Sequence, residues 1–246
     1  MPHTTTTTSI SRPDVTVPHA AAVAASPTRI QESLLSSVER RVLIWLAHRM
    51  PHRVHSDHLT LLALVAMVGA GASYWLASVS PLGLALVIVF LALNWFGDSL
   101  DGTIARVRQQ QRPRFGYYVD HVVDAIGILA LFGGLAFSGY MQPAIAVALL
   151  IAYLLVCLEV YLAAHSVGRF EMTFFGMGPT ELRLVLASGN VALLINPGAS
   201  VLGGALSLFD VGGIVGAAGL FLTFLYSAAR NTRRLYIEEP MPGRVR

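Results

Sequence analysis

The sequence predicts an all-α integral membrane protein: a bundle of six transmembrane helices preceded by an amphipathic helix on the membrane surface. First, 54% of the 246 residues are hydrophobic and only 13% are charged, whereas about 25% of the residues in ordinary soluble domains are charged. Second, six apolar segments are each about 19 to 23 residues long, close to the ~20 residues that cross a hydrocarbon core as a helix. Third, all 17 basic residues are arginines, and they gather at one end of these segments.

The N-terminal part of the chain changes character near residue 28. Residues 1–27 are rich in Thr, Ala and Pro and carry no hydrophobic period, a composition typical of a disordered tail. Across residues 28–50, apolar side chains recur at helical spacing opposite Glu39, Arg40 and Arg49, which indicates an amphipathic helix on the membrane surface. The alternative is a soluble helix packed on a partner. It is less favoured because nothing soluble in the chain is large enough to receive the helix.

The six apolar segments follow in order. They cover approximately residues 59–78, 82–104, 117–137, 144–164, 182–201 and 211–229. The first and third links between them are so short that they join only antiparallel neighbours. If the surface helix is cytoplasmic, every arginine falls on the cytoplasmic side, as the positive-inside rule requires. We therefore expect a membrane domain over residues 28–235, a cytoplasmic tail at 236–246, and both termini in the cytoplasm.

Four acids interrupt this apolar sequence between residues 98 and 124, in the stretch DSLDGTIARVRQQQRPRFGYYVDHVVD. Asp98 and Asp101 lie three residues apart, Asp120 and Asp124 lie four apart, and each spacing puts a pair on one face of a helix. Two facing helices would bring four carboxylates to one point, where they would repel unless a cation lay between them. Hard divalent ions take such oxygen ligands and would in turn bind a diphosphate. The stretch therefore predicts a metal site at the cytoplasmic mouth.

The same acids could instead form ion pairs with the arginines of the loop that follows. These are Arg106, Arg108, Arg112 and Arg114. The metal site is favoured because Arg106 could hardly neutralise more than one acid, and because a basic loop also suits a phosphorylated ligand. Gly102 and Gly116 fit the same interpretation, since a residue without a side chain lets helix backbones approach each other or a ligand closely.

This spacing resembles the signature of the CDP-alcohol phosphotransferase (phosphatidyltransferase) family. In that signature an Asp, two residues, Asp-Gly, two residues and Ala-Arg precede Gly, three residues, Asp, three residues and Asp. The matching positions are Asp98, Asp101, Gly102, Ala105, Arg106, Gly116, Asp120 and Asp124. Nine residues separate Arg106 from Gly116, more than is usual in the family, and a longer surface loop should be tolerated.

The resemblance implies a six-span homodimer with two Mg²⁺ or Mn²⁺ ions in each active site. The metal site would consist of Asp98, Asp101, Asp120 and Asp124. By the same analogy, Asp124 would also be the base that takes the proton of the acceptor's hydroxyl group. The CDP pocket would be lined by Gly102, Ala105, Arg106 and Gly116. The expected reaction is attack by an alcohol on the phosphorus farther from cytidine, with release of CMP, in phospholipid biosynthesis.

The donor and the acceptor are less closely defined by the sequence. CDP-diacylglycerol is the expected donor. Arg169 and Arg183 could bind the phosphate of an acceptor such as glycerol phosphate or inositol phosphate, or they could anchor helix ends at the lipid headgroups. His121 resembles the Asp-His of the choline and ethanolamine phosphotransferase branch, so a reaction with CDP-choline or CDP-ethanolamine is the alternative.

Several further polar residues in apolar surroundings have two interpretations each. Asp57 would cap the first span or contact the nucleotide, and capping is favoured. Asn94 is interpreted as a hydrogen-bonding packing residue. Glu159 and Glu181 are expected to serve polar packing or acceptor binding. The single Cys157 is expected to be a packing residue.

Two other classes of membrane protein use clustered acids. Prenyltransferases with aromatic acceptors bind a diphosphate through Asp-rich motifs in two separate halves of a larger bundle, whereas here both pairs fall within one short stretch. A transporter or proton relay would be expected to show a repeated half with broken helices, and the sequence shows no repeat.

Overall fold

The computed structural model describes residues 28–30, 36–167, 169–171, 179–198, 200–201, 206–239 and 241. Seven helices are described. They are α1 Ser36–Arg49, α2 Ser56–Ala77, α3 Leu82–Val107, α4 Pro113–Ala136, α5 Pro143–Ser166, α6 Pro179–Ile195 and α7 Leu208–Glu238. Four short strands accompany them. They are β1 Thr28–Ile30, β2 Arg169–Glu171, β3 Ser200–Val201 and β4 Leu206–Ser207. β1 pairs in parallel with β2, and β3 pairs antiparallel with β4.

Five of these helices, α2 to α5 and α7, are long and apolar enough to cross a membrane. The prediction of an all-α membrane protein is thereby confirmed. The fifth predicted span, residues 182–201, corresponds to α6, which has only 17 residues and is not among the five. Helix α6 ends at Ile195 because Asn196 precedes Pro197, and a residue before proline is disfavoured in helical conformation.

The N-terminal helix is shorter than expected. It begins at Ser36, and residues 28–30 form strand β1, so the prediction of helix from residue 28 is wrong there. The β-branched side chains of Thr28 and Ile30 favour extended backbone. The tail expected at residues 1–27 lies outside the described residues. At the other end, α7 continues to Glu238, beyond the boundary expected at 235.

Helix α1 packs against α3 through one narrow face. Leu43 and Ala47 are buried, and they contact a small core cluster that includes Leu100 and Ile104 of α3. Other apolar side chains of α1, among them Trp45, are exposed. The helix therefore attaches to the end of α3 that follows the acids, and it leaves an apolar surface free.

The spans pack through glycine contacts that hold α2 against both acid-bearing helices. A Cβ atom added at Gly97 of α3 would lie 2.6 Å from the carbonyl oxygen of Leu59 in α2. A Cβ atom added at Gly134 of α4 would lie 2.6 Å from the Cα atom of Gly71 in α2, and closer still to its carbonyl oxygen. Real Cβ atoms essentially never come within 3.0 Å of such neighbours. Helix α2 thus sets the distance between α3 and α4.

Candidate functional site

Three of the predicted acids come together between α3 and α4. Asp98 on α3 and both Asp120 and Asp124 on α4 place carboxylate oxygens within 4.8 Å of one another. All three residues are half-buried. Carboxylates this close repel, and oxygen-only donors of this kind are those that hard divalent ions prefer. The residues present therefore fit a divalent metal ion.

Asp101 is not in this group. It lies one turn after Asp98 on α3 and is buried, and one of its carboxylate oxygens accepts a hydrogen bond from the hydroxyl of Thr60 in α2 at 2.6 Å. Its other oxygen accepts from the backbone N–H of Gly102. The expected convergence of four acids therefore holds for three. Thr60, which the sequence reasoning did not single out, binds the fourth.

Arg183 reaches the acid group from α6. Its guanidinium donates to Oδ2 of Asp98 at 2.5 Å, and its Nε donates to Oδ1 of Asn94 at 2.7 Å. Asn94 is buried, and its Nδ2 donates to the carbonyl oxygen of Ala63 in α2 at 3.1 Å. The interpretation of Asn94 as a packing residue is thus confirmed. Arg183 points into the site, with only 15% of its side chain exposed, rather than out to the lipid headgroups.

Two arginines of the basic loop are engaged away from the acid group. The guanidinium of Arg108 donates to the carbonyl oxygens of Val54 at 2.5 Å, Met50 at 2.8 Å and Pro51 at 3.0 Å. Through these bonds it fastens the α1–α2 connection to the end of α3. Arg112 forms an ion pair with Asp57. These two arginines therefore do not neutralise the clustered acids, contrary to the alternative of ion pairs.

Asp57 does not cap α2. The helix begins at Ser56 with His55 as its N-cap residue, and the backbone N–H of His55 donates to Nδ1 of His58 at 3.2 Å. The capping role expected for Asp57 is wrong because the helix starts two residues earlier than that role requires. Its carboxylate meets Arg112 at the surface instead.

All four residues assigned to the CDP pocket line the same cavity as the acids. They are Gly102, Ala105, Arg106 and Gly116. A Cβ atom at Gly102 would lie 3.3 Å from the guanidinium of Arg106, and one at Gly116 would meet nothing within 4 Å. Neither glycine is therefore where helix backbones approach most closely. The positions that have this role, such as Gly71 and Gly134, were missed, because many glycines in a membrane helix look alike in sequence.

The cavity has a volume of about 2600 Å³ and extends well beyond the acids. Its remaining lining comes largely from apolar side chains of α5, α6 and α7, including Leu149, Phe209 and Leu220. His121 belongs to the wall beside the acids, with ring centroids 4.1 Å from Tyr117 and 4.4 Å from Tyr161. The cavity therefore combines a charged region, in which the acids lie beside arginines such as Arg106 and Arg183, with a largely apolar remainder.

The other polar residues predicted from the sequence lie at different places. Arg169 belongs to strand β2, and its side chain lies outside the described residues. Glu159 and Glu181 are both buried. Glu159 accepts a hydrogen bond from Nδ2 of Asn231 in α7 at 2.7 Å, which agrees with polar packing. Cys157 is a free cysteine on the cavity wall.

A model of the CDP-alcohol phosphatidyltransferase family matches residues 53–225. The chain belongs to this family. No curated protein matches the chain. The CDP-alcohol phosphatidyltransferases are transferases that move a substituted phosphate from a CDP-alcohol in phospholipid synthesis, and they generally use divalent metals. The matched range is narrower than the range 28–235 expected for the membrane domain, and α1 lies outside it.

Proposed function

We propose that this CDP-alcohol phosphatidyltransferase transfers the phosphatidyl group of CDP-diacylglycerol to the hydroxyl group of an alcohol and releases CMP. The observation that carries the proposal is the shape of the cavity: three carboxylates within 4.8 Å of one another at one end, and a largely apolar lining over the rest of about 2600 Å³. A nucleotide diphosphate and its counter-ions suit the charged region. Two acyl chains suit the apolar part, because their burial there removes apolar surface from water.

The acids would hold two Mg²⁺ or Mn²⁺ ions. Asp98, Asp120 and Asp124 supply the convergent oxygens. Asp101 lies one turn after Asp98 on α3. Bound divalent ions would neutralise the diphosphate and stabilise the charge that builds up on the transferring phosphoryl group. Asp101 supports this arrangement through its bond to Thr60, which fixes α2 to α3 directly beside the site.

The transfer exchanges one phosphorus–oxygen bond for another. The acceptor's oxygen attacks the phosphorus farther from cytidine, the bond from that phosphorus to the oxygen of CMP breaks, and CMP leaves with the electron pair. Asp124 takes the proton of the attacking hydroxyl group as general base. Gly102, Ala105, Arg106 and Gly116 would bind the CDP moiety, and the rate would come mainly from positioning and charge stabilisation.

The acceptor would bind beside Arg183, where α6 meets α3. Arg183 already carries its positive charge beside Asp98 and would meet a phosphate on the acceptor, with Arg169 of β2 as a second cation. This geometry favours a phosphorylated alcohol such as glycerol phosphate or inositol phosphate. The second candidate is a CDP-choline or CDP-ethanolamine donor, which is supported by His121 and its neighbours Tyr117 and Tyr161 in the cavity wall.

The proposed membrane arrangement has six spans. The 17 residues of α6 would extend about 25 Å at 1.5 Å per residue, and helices of about this length are at the lower limit for crossing a hydrocarbon core of ~30 Å. Six spans put both termini on the same side, and the distribution of arginines makes that side cytoplasmic. The exposed apolar side chains of α1 would rest on the membrane surface. We propose a homodimer as the functional unit.

The decisive experiment measures CMP. Purified protein with Mn²⁺ should release CMP from CDP-diacylglycerol in the presence of at least one alcohol in a panel of free and phosphorylated alcohols. Asp124→Asn should lower this rate by roughly 10²-fold to 10⁴-fold, the usual contribution of a general base. Glu238→Gln, at the exposed end of α7, is the matched carboxylate control and should leave the rate unchanged. If folded wild-type protein releases CMP from neither CDP-diacylglycerol nor CDP-choline, the proposal is wrong.

A further inference from the structure

Glu39 connects α1 to the two helices that present Asp98 and Arg183. Its Oε1 accepts hydrogen bonds from Nε1 of Trp95 at 2.8 Å, from the hydroxyl of Ser99 at 3.2 Å and from the hydroxyl of Thr180 at 2.9 Å. Trp95 and Ser99 belong to α3, and Thr180 belongs to the first turn of α6. One carboxylate oxygen thus ties three helices together, and Glu39 itself lines the cavity.

The donors to Glu39 are neighbours of the site residues. Ser99 directly follows Asp98 in α3. Thr180 lies three residues before Arg183, and residues three apart lie on the same side of a helix. The bond to Thr180 therefore restrains the turn of α6 from which Arg183 reaches Asp98. The relative position of α3 and α6 at this level depends on Glu39.

A second contact joins the same N-terminal segment to the connection between α5 and α6. Strand β1, which precedes α1, pairs in parallel with β2 over three residues. Strand β2 lies between the end of α5 and the start of α6. The N-terminal segment therefore contacts the α5–α6 connection through the backbone pairing of β1 with β2, and it contacts α6 itself through the Glu39 side chain.

We propose that Glu39 is a positioning residue, which fastens α1 across the cytoplasmic ends of α3 and α6 and so holds Arg183 against Asp98 in the geometry that the acceptor requires. It lies outside the range that matches the family, residues 53–225. The inference deepens the proposed function and rests on it, because the acceptor is assigned to Arg183 there. It makes α1 a wall of the active site as well as a membrane attachment.

The kinetic test compares two substitutions of Glu39. All three donors are neutral, so the side-chain carbonyl of Glu39→Gln can still accept their hydrogen bonds, whereas Glu39→Ala removes the acceptor. We expect Glu39→Ala to raise the KM of the acceptor by about 10-fold to 100-fold, the scale of loss when a positioned group shifts by about an ångström. The KM of the CDP donor should change much less. Glu39→Gln should stay within about threefold of wild type, since it keeps these hydrogen bonds.

Two further variants separate the connections. Thr180→Val removes only the bond to α6 and should reproduce most of the rise in the acceptor's KM. Arg41→Gln is the control on α1, because Arg41 is exposed and its Nε donates to the carbonyl oxygen of Ser37 on its own helix. It should leave both KM values unchanged.

A measurement that does not depend on turnover completes the test. Spin labels at cysteines replacing His48 of α1 and Leu184 of α6, both exposed, report the distance between the two helices in a Cys157→Ser background. Glu39→Ala should broaden the distance distribution and Glu39→Gln should not. If wild type releases no CMP, the proposed function fails, and the distance distribution still decides whether Glu39 joins α1 to α6. The inference is overturned if Glu39→Gln is as damaging as Glu39→Ala, or if Glu39→Ala changes neither the acceptor's KM nor the distance distribution.

Discussion

Substituting Gly134 by alanine tests whether the packing of α4 on α2 sets the geometry of the site. The new Cβ atom would lie 2.6 Å from the Cα atom of Gly71, against 3.4 Å or more for an ordinary van der Waals contact. The backbones would therefore have to separate by at least about 0.8 Å at the crossing. The obstacle is backbone rather than a flexible side chain, so no rotamer change can relieve it.

This separation should affect stability and activity together. Overpacking of this kind costs about 1 to 3 kcal/mol, partly offset by the ~1 kcal/mol by which alanine is better than glycine within a helix. Asp120 and Asp124 are carried by α4, whereas Asp98 is carried by α3, which α2 holds separately at Gly97. The acids should therefore move relative to one another. Misplacement on the order of an ångström lowers kcat/KM by up to about 10²-fold.

The neighbouring glycine provides a matched control. A Cβ atom at Gly133 would meet nothing within 4 Å, although it belongs to the same helix and would gain the same methyl group. Gly133→Ala should therefore unfold at the wild-type temperature or slightly above it and keep full CMP release. Thermal unfolding in detergent and CMP release are measured for both variants. If Gly134→Ala matches Gly133→Ala in both measurements, the close approach of α2 and α4 does not control the site.

Two further predictions concern stability away from the acids. Tyr74→Phe removes the hydroxyl that accepts a hydrogen bond from Nδ2 of the fully buried Asn190 at 2.8 Å. Loss of this bond should lower the free energy of unfolding by about 0.6 to 1 kcal/mol, the usual contribution of a polar contact within a membrane. The unfolding temperature should therefore fall while CMP release stays unchanged. Gln109 has a φ of 56° just after α3, and the next residue's N–H bonds back to Ala105. Because glycine adopts this conformation without a steric penalty, Gln109→Gly should stabilise the protein by roughly 0.5 to 1 kcal/mol, and an unchanged or lower unfolding temperature would contradict this.

The helices and the position of the acids could be predicted because both depend on short, local patterns in the sequence. A run of about 20 apolar residues predicts a membrane helix whatever surrounds it, and α2 to α5 and α7 follow such runs closely. The end of α6 was misplaced because a proline at position 197 stops a helix inside an apolar run. The strand at residues 28–30 depends on a partner more than a hundred residues away, which no local pattern contains.

The spacing of the acids explains why three of them converge and the fourth does not. At about 100° per residue, side chains four apart differ by about 40° around the helix, and those three apart differ by about 60°. Asp120 and Asp124 therefore point to the same place. Asp101 is turned farther from Asp98, and the hydroxyl of Thr60 in α2 lies where it points. The sequence gives the spacing, but only the packing of α2 on α3 determines which partner the rotated acid meets.

The contacts of the arginines explain why the three convergent carboxylates need a further cation. Arg183, 85 positions from Asp98 along the chain, contributes one positive charge beside the three convergent carboxylates, so it cannot balance them by itself. Arg108 and Arg112 lie near the acids in the sequence. However, the guanidinium of Arg108 donates to backbone carbonyl oxygens, and that of Arg112 forms an ion pair with Asp57. Had those two arginines turned to the acids, the group would be a neutral network of ion pairs with no need of a metal. Because Arg108 fastens the α1–α2 connection and Arg112 pairs with Asp57 of α2, negative charge stays concentrated where α3 and α4 meet. This is the electrostatic condition that a divalent ion with a diphosphate ligand requires.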